Sequence, residues 1–288
     1  MHYPVMLAEA LEYLAVRPDG TYLDATAGLG GHTAAIAERL TTGRLISADR
    51  DGESLELAKR NATEHAAKIE FVQARFSELP ERLRNFGVEK VHGLLADLGV
   101  SRYQLTEPER GFSLMGDGPL DMRMSRTEAG TVTAADILNF SSEKEIADLI
   151  FRLGEEGGSR RVARAIVRAR PIRSTAQLAK LIEKAVPRTG RLHPATRTFM
   201  ALRQAVNDEP GELERLLQAA PRMVASGGRV VIITFMSLED RMVKQVFQEW
   251  KRAGVADVLT KHVIKPSEVE VAANPPSRSA KLRAAEIA

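Results

Sequence analysis

The predicted fold rests on one segment, Thr21-Tyr-Leu-Asp24-Ala-Thr-Ala-Gly28-Leu-Gly30-Gly31-His32-Thr33. A short apolar strand ending at Asp24 is followed by a glycine-rich turn and by a helix that begins near Gly31. Glycine lets the backbone approach a ligand closely, and amides at a helix N-terminus attract electron-rich groups. The next predicted strand, 44–48, is followed at once by Asp49, where a carboxylate can bind the hydroxyl pair of a ribose. The pattern therefore predicts a site for a nucleoside cofactor.

Two features of this turn favour S-adenosylmethionine over a nicotinamide dinucleotide. The spacing departs from G-x-G-x-x-G, because Thr33 stands where the third glycine belongs. Asp24 also precedes the first glycine by four residues, and its carboxylate attracts a cationic amine but repels a pyrophosphate. S-adenosylmethionine has such an amine and no phosphate. NAD stays as the alternative cofactor, and a turn that serves only chain reversal is the non-functional interpretation.

The composition limits the classes of function. The 288 residues suffice for one large or two modest domains, and a net charge of +3 permits a nucleic-acid partner without indicating one. The absence of cysteine excludes disulfides and thiolate metal sites and is typical of a reducing cytoplasm. It also excludes the cysteine addition that methylation at carbon 5 of a pyrimidine normally needs, so any methyl acceptor must be a nitrogen or oxygen with a usable lone pair. The sequence shows no membrane span, no signal peptide and no metal-binding pattern.

The order of the predicted elements indicates an α/β protein. Strands alternate with helices through the first third of the chain, which is typical of a parallel sheet covered on both faces. Ligands bind such sheets at the carboxyl ends of the strands. Four residues are expected to meet there: Asp24, Asp49, Phe76 and Asp97.

The middle of the chain has a different pattern, with glycine-rich irregular sequence followed by helices. Strand character returns at 228–235, and the tail from Val271 is expected to be weakly structured. We predict a discontinuous cofactor domain, 1–106 and 199–288, interrupted by a helical insertion, 107–198.

Asp97 ends the predicted strand 91–97 and is the candidate for chemistry on an exocyclic amine. Its carboxylate can accept hydrogen bonds from the amine, which helps to localise a lone pair that is otherwise delocalised into the ring. It can equally position the cofactor, and both roles stay open. The segment Asn274-Pro275-Pro276 resembles the motif that amine methyltransferases often carry at this point, but it follows no central strand and is more typical of a turn or of a tail that faces RNA.

Arginines are concentrated on the predicted helix 159–169. Arg160, Arg164 and Arg168 recur at four-residue intervals on one face, where they can follow the phosphates of a nucleic acid with salt-dependent affinity. A solvated face beside Glu155 and Glu156 is the alternative. Another arginine-bearing helix, near 197–206, is more typical of scaffold than of catalysis.

Blocks of sequence spread over nearly the whole chain resemble one family, the bacterial 16S ribosomal RNA cytosine-N4 methyltransferases. The blocks are His2-Tyr-Pro-Val-Met-Leu7, Gly30-Gly-His32, Ala48-Asp-Arg-Asp51, Asp97-Leu-Gly-Val-Ser101, Glu109-Arg-Gly-Phe-Ser113, Asp117-Gly-Pro-Leu-Asp-Met-Arg123, Ala163-Arg-Ala-Ile-Val167, His193-Pro-Ala-Thr-Arg-Thr-Phe199, Asn207-Asp-Glu209, Ser237-Leu-Glu-Asp-Arg241 and Ser277-Arg-Ser-Ala-Lys-Leu-Arg283.

The resemblance implies a Rossmann-like class I methyltransferase sheet with an inserted all-helical substrate-binding domain. It implies direct methyl transfer from S-adenosylmethionine to the N4 amine of a cytidine in the decoding region of 16S ribosomal RNA, within the small ribosomal subunit. The cytosine is expected to be turned out into the pocket. By the same resemblance, the cofactor contacts are Gly30, Gly31, His32, Asp49, Phe76, Asp97 and Gln104.

These implied roles agree with the chemistry of the side chains. The amides near Gly30 are expected to face the methionine end, Asp49 the ribose and Phe76 the adenine, with Gln104 as a hydrogen-bonding group in the cleft.

The sequence departs from the family pattern at four places. They are Ala25-Thr-Ala-Gly-Leu29 before Gly30, Ser101-Arg102-Tyr103 in place of Ser-Ser-Pro, Met236 in place of a histidine, and Gly157 in place of an arginine. A retargeted or inactive homologue that acts as an RNA-binding ribosome assembly factor is therefore an alternative, as is an NAD-dependent oxidoreductase. The sequence leaves open whether the protein is a monomer or a homodimer, and whether naked RNA suffices as substrate.

Overall fold

The computed structural model of the protein describes residues 4–114, 116–128, 130–188 and 192–288. The chain divides into two compact units. The sheet unit comprises Met1–Gly99 and Pro210–Ala288, and the helical unit comprises Val100–Glu209.

Within the described residues, the strands form one seven-stranded sheet. They are β1 (Thr21–Asp24), β2 (Arg44–Asp49), β3 (Ile69–Gln73), β4 (Val91–Asp97), β5 (Val224–Thr234), β6 (Ala256–Val258) and β7 (Lys281–Ile287). Their spatial order is β3-β2-β1-β4-β5-β7-β6. The first five strands pair in parallel, whereas β7 is antiparallel to both of its neighbours. The strand order reverses beside β1, as in Rossmann-like sheets, which confirms the predicted fold class.

The helices that the structure describes follow in chain order. They are α1 (Leu7–Leu14), α2 (Gly31–Arg39), α3 (Gly52–Asn61), α4 (Leu79–Asn85), α5 (Arg102–Thr106), α6 (Ala134–Phe140), α7 (Glu143–Gly154), α8 (Ser159–Arg168), α9 (Thr175–Ala185), α10 (Thr196–Asn207), α11 (Glu209–Met223), α12 (Ser237–Arg252) and α13 (Glu268–Ala273).

The central strands are apolar on both faces because both faces of the sheet are covered. Consecutive strand residues point to opposite sides, so Leu94 packs into one core of the sheet unit and Leu95 into the other. On β5, Ile232 packs into the same core as Leu94, and Val231 packs into the same core as Leu95. All four side chains are fully buried, which explains why these strands are continuous apolar runs in the sequence.

The C-terminal tail is not weakly structured, and that expectation was wrong. Residues 281–287 form β7, which lies between β5 and β6. Charged residues make this strand difficult to predict from the sequence, but each of them has an oppositely charged partner in the fold. Arg283 donates to Asp240 at 2.7 Å, and Glu286 accepts from Arg229 at 3.1 Å. The paired charges allow β7 to lie inside the sheet.

The helical unit has its own apolar core, and α10 belongs to it. Phe199, Leu202 and Val206 of α10 pack into that core with residues of α6, α7, α8 and α9. The boundary expected at 198/199 therefore lies further along the chain, at Glu209, and the boundary expected at 106/107 lies earlier, at Gly99. Sequence periodicity shows that α10 is a helix but not which core it faces. That the helical unit binds substrate stays a prediction.

Several blocks that carry the family resemblance hold the irregular part of the helical unit in place. Arg110 is buried, and its Nη2 donates to the carbonyls of Arg123 and Met124 at 3.1 and 2.8 Å. Asn207 accepts from the Met124 amide at 2.8 Å and donates to the Met122 carbonyl at 2.7 Å. These residues serve as scaffold, as the sequence suggested for the segment around α10.

Candidate active site

The glycine-rich turn lies between β1 and α2, where the sequence placed it. Gly28 and Gly30 have φ angles of 52° and 85°, in the region that favours glycine. A Cβ on Gly30 would come within 3.0 Å of the Cα and carbonyl oxygen of Ala58 in α3. The turn therefore passes too close to α3 to carry a side chain at this point.

Asp24 holds this turn in place from beneath. Its side chain is fully buried, and it accepts hydrogen bonds from the Thr33 hydroxyl at 2.7 Å and from the Thr26 amide at 3.1 Å. Burial raises the pKa of Asp24 to about 6. The sequence suggested that Asp24 meets a cofactor amine directly. In the structure, Thr33, which stands where the third glycine belongs, donates to the carboxylate, and a direct contact between Asp24 and a cofactor amine stays a prediction.

Asp49 ends β2 and organises the neighbouring backbone. Its two carboxylate oxygens accept from the amides of Gly28 and Asp51, each at 2.8 Å. Burial, reinforced by the charges of Asp51 and Asp24, raises the pKa of Asp49 to about 7, although both hydrogen bonds oppose the rise. A carboxylate oxygen can accept more than one hydrogen bond, so Asp49 keeps acceptor capacity for a ribose hydroxyl. Phe76, beyond the end of β3, is partly buried and packs against the core of the sheet unit.

Asp97 ends β4 and carries the least satisfied carboxylate of the group. Its amide donates to the Thr26 hydroxyl at 2.7 Å. Its Oδ2 lies 3.8 Å from His32 Nδ1, whereas its Oδ1 is buried and has no hydrogen-bond partner among the described residues. Burial raises the pKa of Asp97 well above its usual range, and the negative charges of Asp24, Glu239 and Glu270 raise it further. Such a carboxylate is suited to a cation or to an N–H donor.

One peptide group connects His32 to the C-terminal part of the chain. His32 Nε2 lies 3.0 Å from the carbonyl oxygen of Val5. Because a carbonyl only accepts, this contact places the proton on Nε2 and turns Nδ1 towards Asp97. The N–H of the same peptide, on Met6, donates to Glu270 Oε1 at 2.7 Å. The Val5–Met6 peptide therefore fixes the imidazole of α2 against α13.

Sequence reasoning missed Glu239 and Glu270 as members of this acidic group. Glu239 lies in the first turn of α12 and accepts from the amides of Phe235 and Met236 at 3.1 Å each. Acids are favoured in the first turn of a helix, which is a weak local signal that the sequence does contain. Glu270 follows Ser267 by three residues, which is the Ser-x-x-Glu capping pattern, and its amide donates to the Ser267 hydroxyl at 3.1 Å. The local pattern does not predict its side-chain contact, because the Met6 amide lies 264 residues away.

Gln104 belongs to the helical unit and caps its own helix. Its Oε1 accepts from the Ser101 amide at 2.9 Å, and the Ser101 hydroxyl accepts from the Gln104 amide at 3.3 Å. Serine followed three residues later by glutamine is a capping box, so Ser101 has a local structural role. The contact between Gln104 and the cofactor stays a prediction.

Residues 1–288 match the family of MraW methylases. This chain belongs to the MraW methylase family. Two similar relatives bear the name ribosomal RNA small subunit methyltransferase H. The protein from Solibacter usitatus is 61% identical over 287 residues, which cover 100% of both chains. The protein from Acidobacterium capsulatum is 49% identical over 295 residues, which cover 99% of this chain and 98% of the relative.

As an MraW methylase, the protein is a methyltransferase, and S-adenosylmethionine is its methyl donor. The side chains at the ends of the strands fit this molecule. The buried, unpaired Oδ1 of Asp97 and the charges of Asp24 and Asp49 complement a cation. The pyrophosphate of NAD would be repelled by the same carboxylates, which argues against the alternative cofactor.

Two further properties concern the described part of the chain. It contains no group of three or more histidine, aspartate or glutamate side chains arranged to hold a metal ion. None of its helices has the length and apolar character that crossing a bilayer requires.

Proposed function

We propose that this methylase modifies the exocyclic N4 amine of a cytidine in the decoding region of 16S ribosomal RNA, within the small ribosomal subunit. The names of the relatives, which match this chain from end to end, support the choice of RNA. The observation that carries the choice of an amine is the Oδ1 atom of Asp97, a buried acceptor without a partner among the described residues.

We propose that the cofactor residues are those implied by the family resemblance. Amides near Gly30, Gly31 and His32 would face the methionine end, and Asp49 would accept from the ribose hydroxyls. Phe76 would pack near the adenine, and Asp97 and Gln104 would complete the set. When bound, S-adenosylmethionine supplies an electrophilic methyl group on a positively charged sulfur.

Asp97 would act on the substrate amine in two ways. Its Oδ1 would accept a hydrogen bond from the N4 amine, which orients the nitrogen and concentrates its lone pair. Because burial and, to a smaller extent, the surrounding acids raise its pKa, the Asp97 carboxylate is also a stronger base than an exposed one and can take the proton that the nitrogen loses. His32, held by the Val5 carbonyl, lies beside Asp97, with its Nδ1 3.8 Å from Asp97 Oδ2. The chain has no cysteine, so none of these steps passes through a covalent cysteine adduct.

Replacing Asp49 with asparagine is expected to weaken the binding of S-adenosylmethionine by about 1 kcal/mol, or about fivefold, because one charged acceptor is lost. Isothermal titration calorimetry measures the affinity directly. Asp19→Asn is the matched control, since Asp19 is an exposed aspartate of the same unit. Equal affinities for the parent protein and the Asp49 variant would remove the ribose assignment.

The proposed function is tested by nucleoside mass spectrometry. Small ribosomal subunits that lack the modification are incubated with the protein and S-adenosylmethionine, in parallel with naked 16S RNA. New N4-methylcytidine that maps to the decoding region would support the proposal, and the two samples would show whether assembled subunits are required. Cofactor binding without new methylcytidine would favour the alternative, a retargeted homologue or an assembly factor. The proposal places the reaction in the cytoplasm and is compatible with either a monomer or a homodimer.

A further inference from the structure

The outer face of α8 carries positive charge that is largely uncompensated. Arg160, Arg164 and Arg168 are all exposed, whereas the opposite face of α8 packs into the core of the helical unit. Among the described residues, only Arg164 of these three has a carboxylate within ion-pair distance, Glu143 at 3.5 Å. That pair is about half exposed on both sides and is therefore weak. The row of arginines remains available to an anionic partner.

An exposed aromatic ring lies close to this row. Phe140, the last residue of α6, is 83% exposed, which is unusual for a large apolar side chain. It precedes Glu143, the ion-pair partner of Arg164, by three residues, so the two backbones are separated by at most about 10 Å at that point.

The backbone on both sides of Phe140 is fixed by the loop that follows α8. Arg170 donates to the carbonyls of Leu138, at 2.7 Å, and of Ser141. Asn139 exchanges two hydrogen bonds with the backbone of Ile172, at 2.8 and 2.9 Å. The ring is therefore presented to solvent by an ordered backbone. Such a preorganised aromatic group binds at low cost in conformational entropy.

We propose that Phe140, Arg160, Arg164 and Arg168, the α8 surface, bind a single-stranded segment of the RNA substrate. A base stacks on Phe140, and the arginines contact phosphates. The proposal rests on the proposed function, since it takes RNA as the partner. A single strand fits better than a duplex, because only an unpaired base offers its face to an aromatic ring. The uncompensated positive charge favours a partner with many negative charges, as a nucleic acid has, over a protein surface with few acidic residues.

The test uses the full-length protein, a fluorescently labelled single-stranded RNA of about 20 nucleotides, and a series of salt concentrations. Changing Arg160, Arg164 and Arg168 to glutamine together should reduce the slope of log affinity against log salt by about 2, since each phosphate contact on a single strand contributes about 0.7. Phe140→Ala should weaken binding about tenfold at every salt concentration without changing the slope, because stacking releases no counterions.

Matched controls separate this surface from general effects of charge and apolar area. Lys244, Lys251 and Arg252, exposed residues of α12, are changed to glutamine together, which removes the same charge elsewhere. Phe151→Ala removes another exposed ring, on α7. A slope that falls equally in both triple variants, or equal losses from the two phenylalanine variants, would overturn the assignment. Unchanged far-UV circular dichroism and an unchanged melting temperature of the α8 variants verify that the helical unit is folded.

Failure of this inference is distinguishable from failure of the proposed function. If the α8 variants bind the RNA like the parent while the parent methylates subunits, the α8 surface is not the RNA site and the function stands. If the parent makes no methylcytidine but the α8 variants lose RNA binding as described, the surface stands and the function fails. Variants that lose binding to assembled subunits but not to the RNA would identify a ribosomal protein as the partner and contradict the proposal.

Discussion

Replacing Asp97 with asparagine is expected to slow methyl transfer at saturating cofactor and substrate by about 100- to 1,000-fold. Asparagine preserves the size of the side chain and one acceptor oxygen. It removes the negative charge that the amine would meet and the capacity to take its proton. Single-turnover methylation of small ribosomal subunits measures this rate, and calorimetry measures the affinity for S-adenosylmethionine separately.

The same variant decides between the two roles that the sequence left open for Asp97. A large loss of rate with little change in cofactor affinity would assign Asp97 to the amine. An unchanged rate at saturation with weakened cofactor binding would assign it to the cofactor alone and contradict the proposed mechanism. Asp257→Asn, at an exposed position on β6, is the matched control.

The stability of the Asp97 variant provides an independent readout. The Asp97 carboxylate lies among other acids and has an unpaired buried oxygen, so it destabilises the ligand-free fold. Asparagine removes that charge, and the melting temperature of the ligand-free variant is therefore expected to rise. A variant that is more stable and yet slower would show that the loss of rate does not come from unfolding.

The parts of the fold that sequence predicts well are those specified by neighbouring residues. The apolar runs of β3 and β4 and the glycines that follow β1 are local signals, and these elements lie where they were expected. β7 is different, because its charged residues become compatible with a buried strand only through partners 43 and 57 residues away. Local sequence patterns do not predict partners that lie so far away along the chain.

The residues of the candidate site also differ in how well the sequence predicts their positions. Asp49 and Asp97 could be placed from the sequence because the carboxyl ends of parallel strands lie at one edge of a sheet. The Asp24 carboxylate accepts from the side chain of Thr33, and the Glu270 carboxylate accepts from the Met6 amide in the N-terminal segment. Both are tertiary contacts, so the pattern that identified the cofactor did not reveal the complete set of acids around it.

The affinity for S-adenosylmethionine is expected to rise about ten- to thirtyfold between pH 5.5 and 7. Burial raises the pKa of Asp24 to about 6 and that of Asp49 to about 7, and the pKa of Asp97 is raised as well. Part of this group is therefore protonated in the ligand-free protein at pH 6. A cationic ligand favours the charged carboxylates, so binding releases protons and strengthens as the pH rises. Calorimetry in two buffers of different ionisation enthalpy counts the protons released.

The stability of the ligand-free protein should change with pH in the opposite direction. Asp24 and Asp49 have folded-state pKa values above the unfolded value of 3.8, so the folded state retains protons that the unfolded state loses. Their stabilising contribution is complete below about pH 4 and disappears as the pH rises through 6 to 7. Urea unfolding at several pH values should therefore show this contribution decreasing over the range in which cofactor affinity increases.

A cofactor affinity that is independent of pH, with equal enthalpies in both buffers, would mean that the carboxylates are already charged before the cofactor binds.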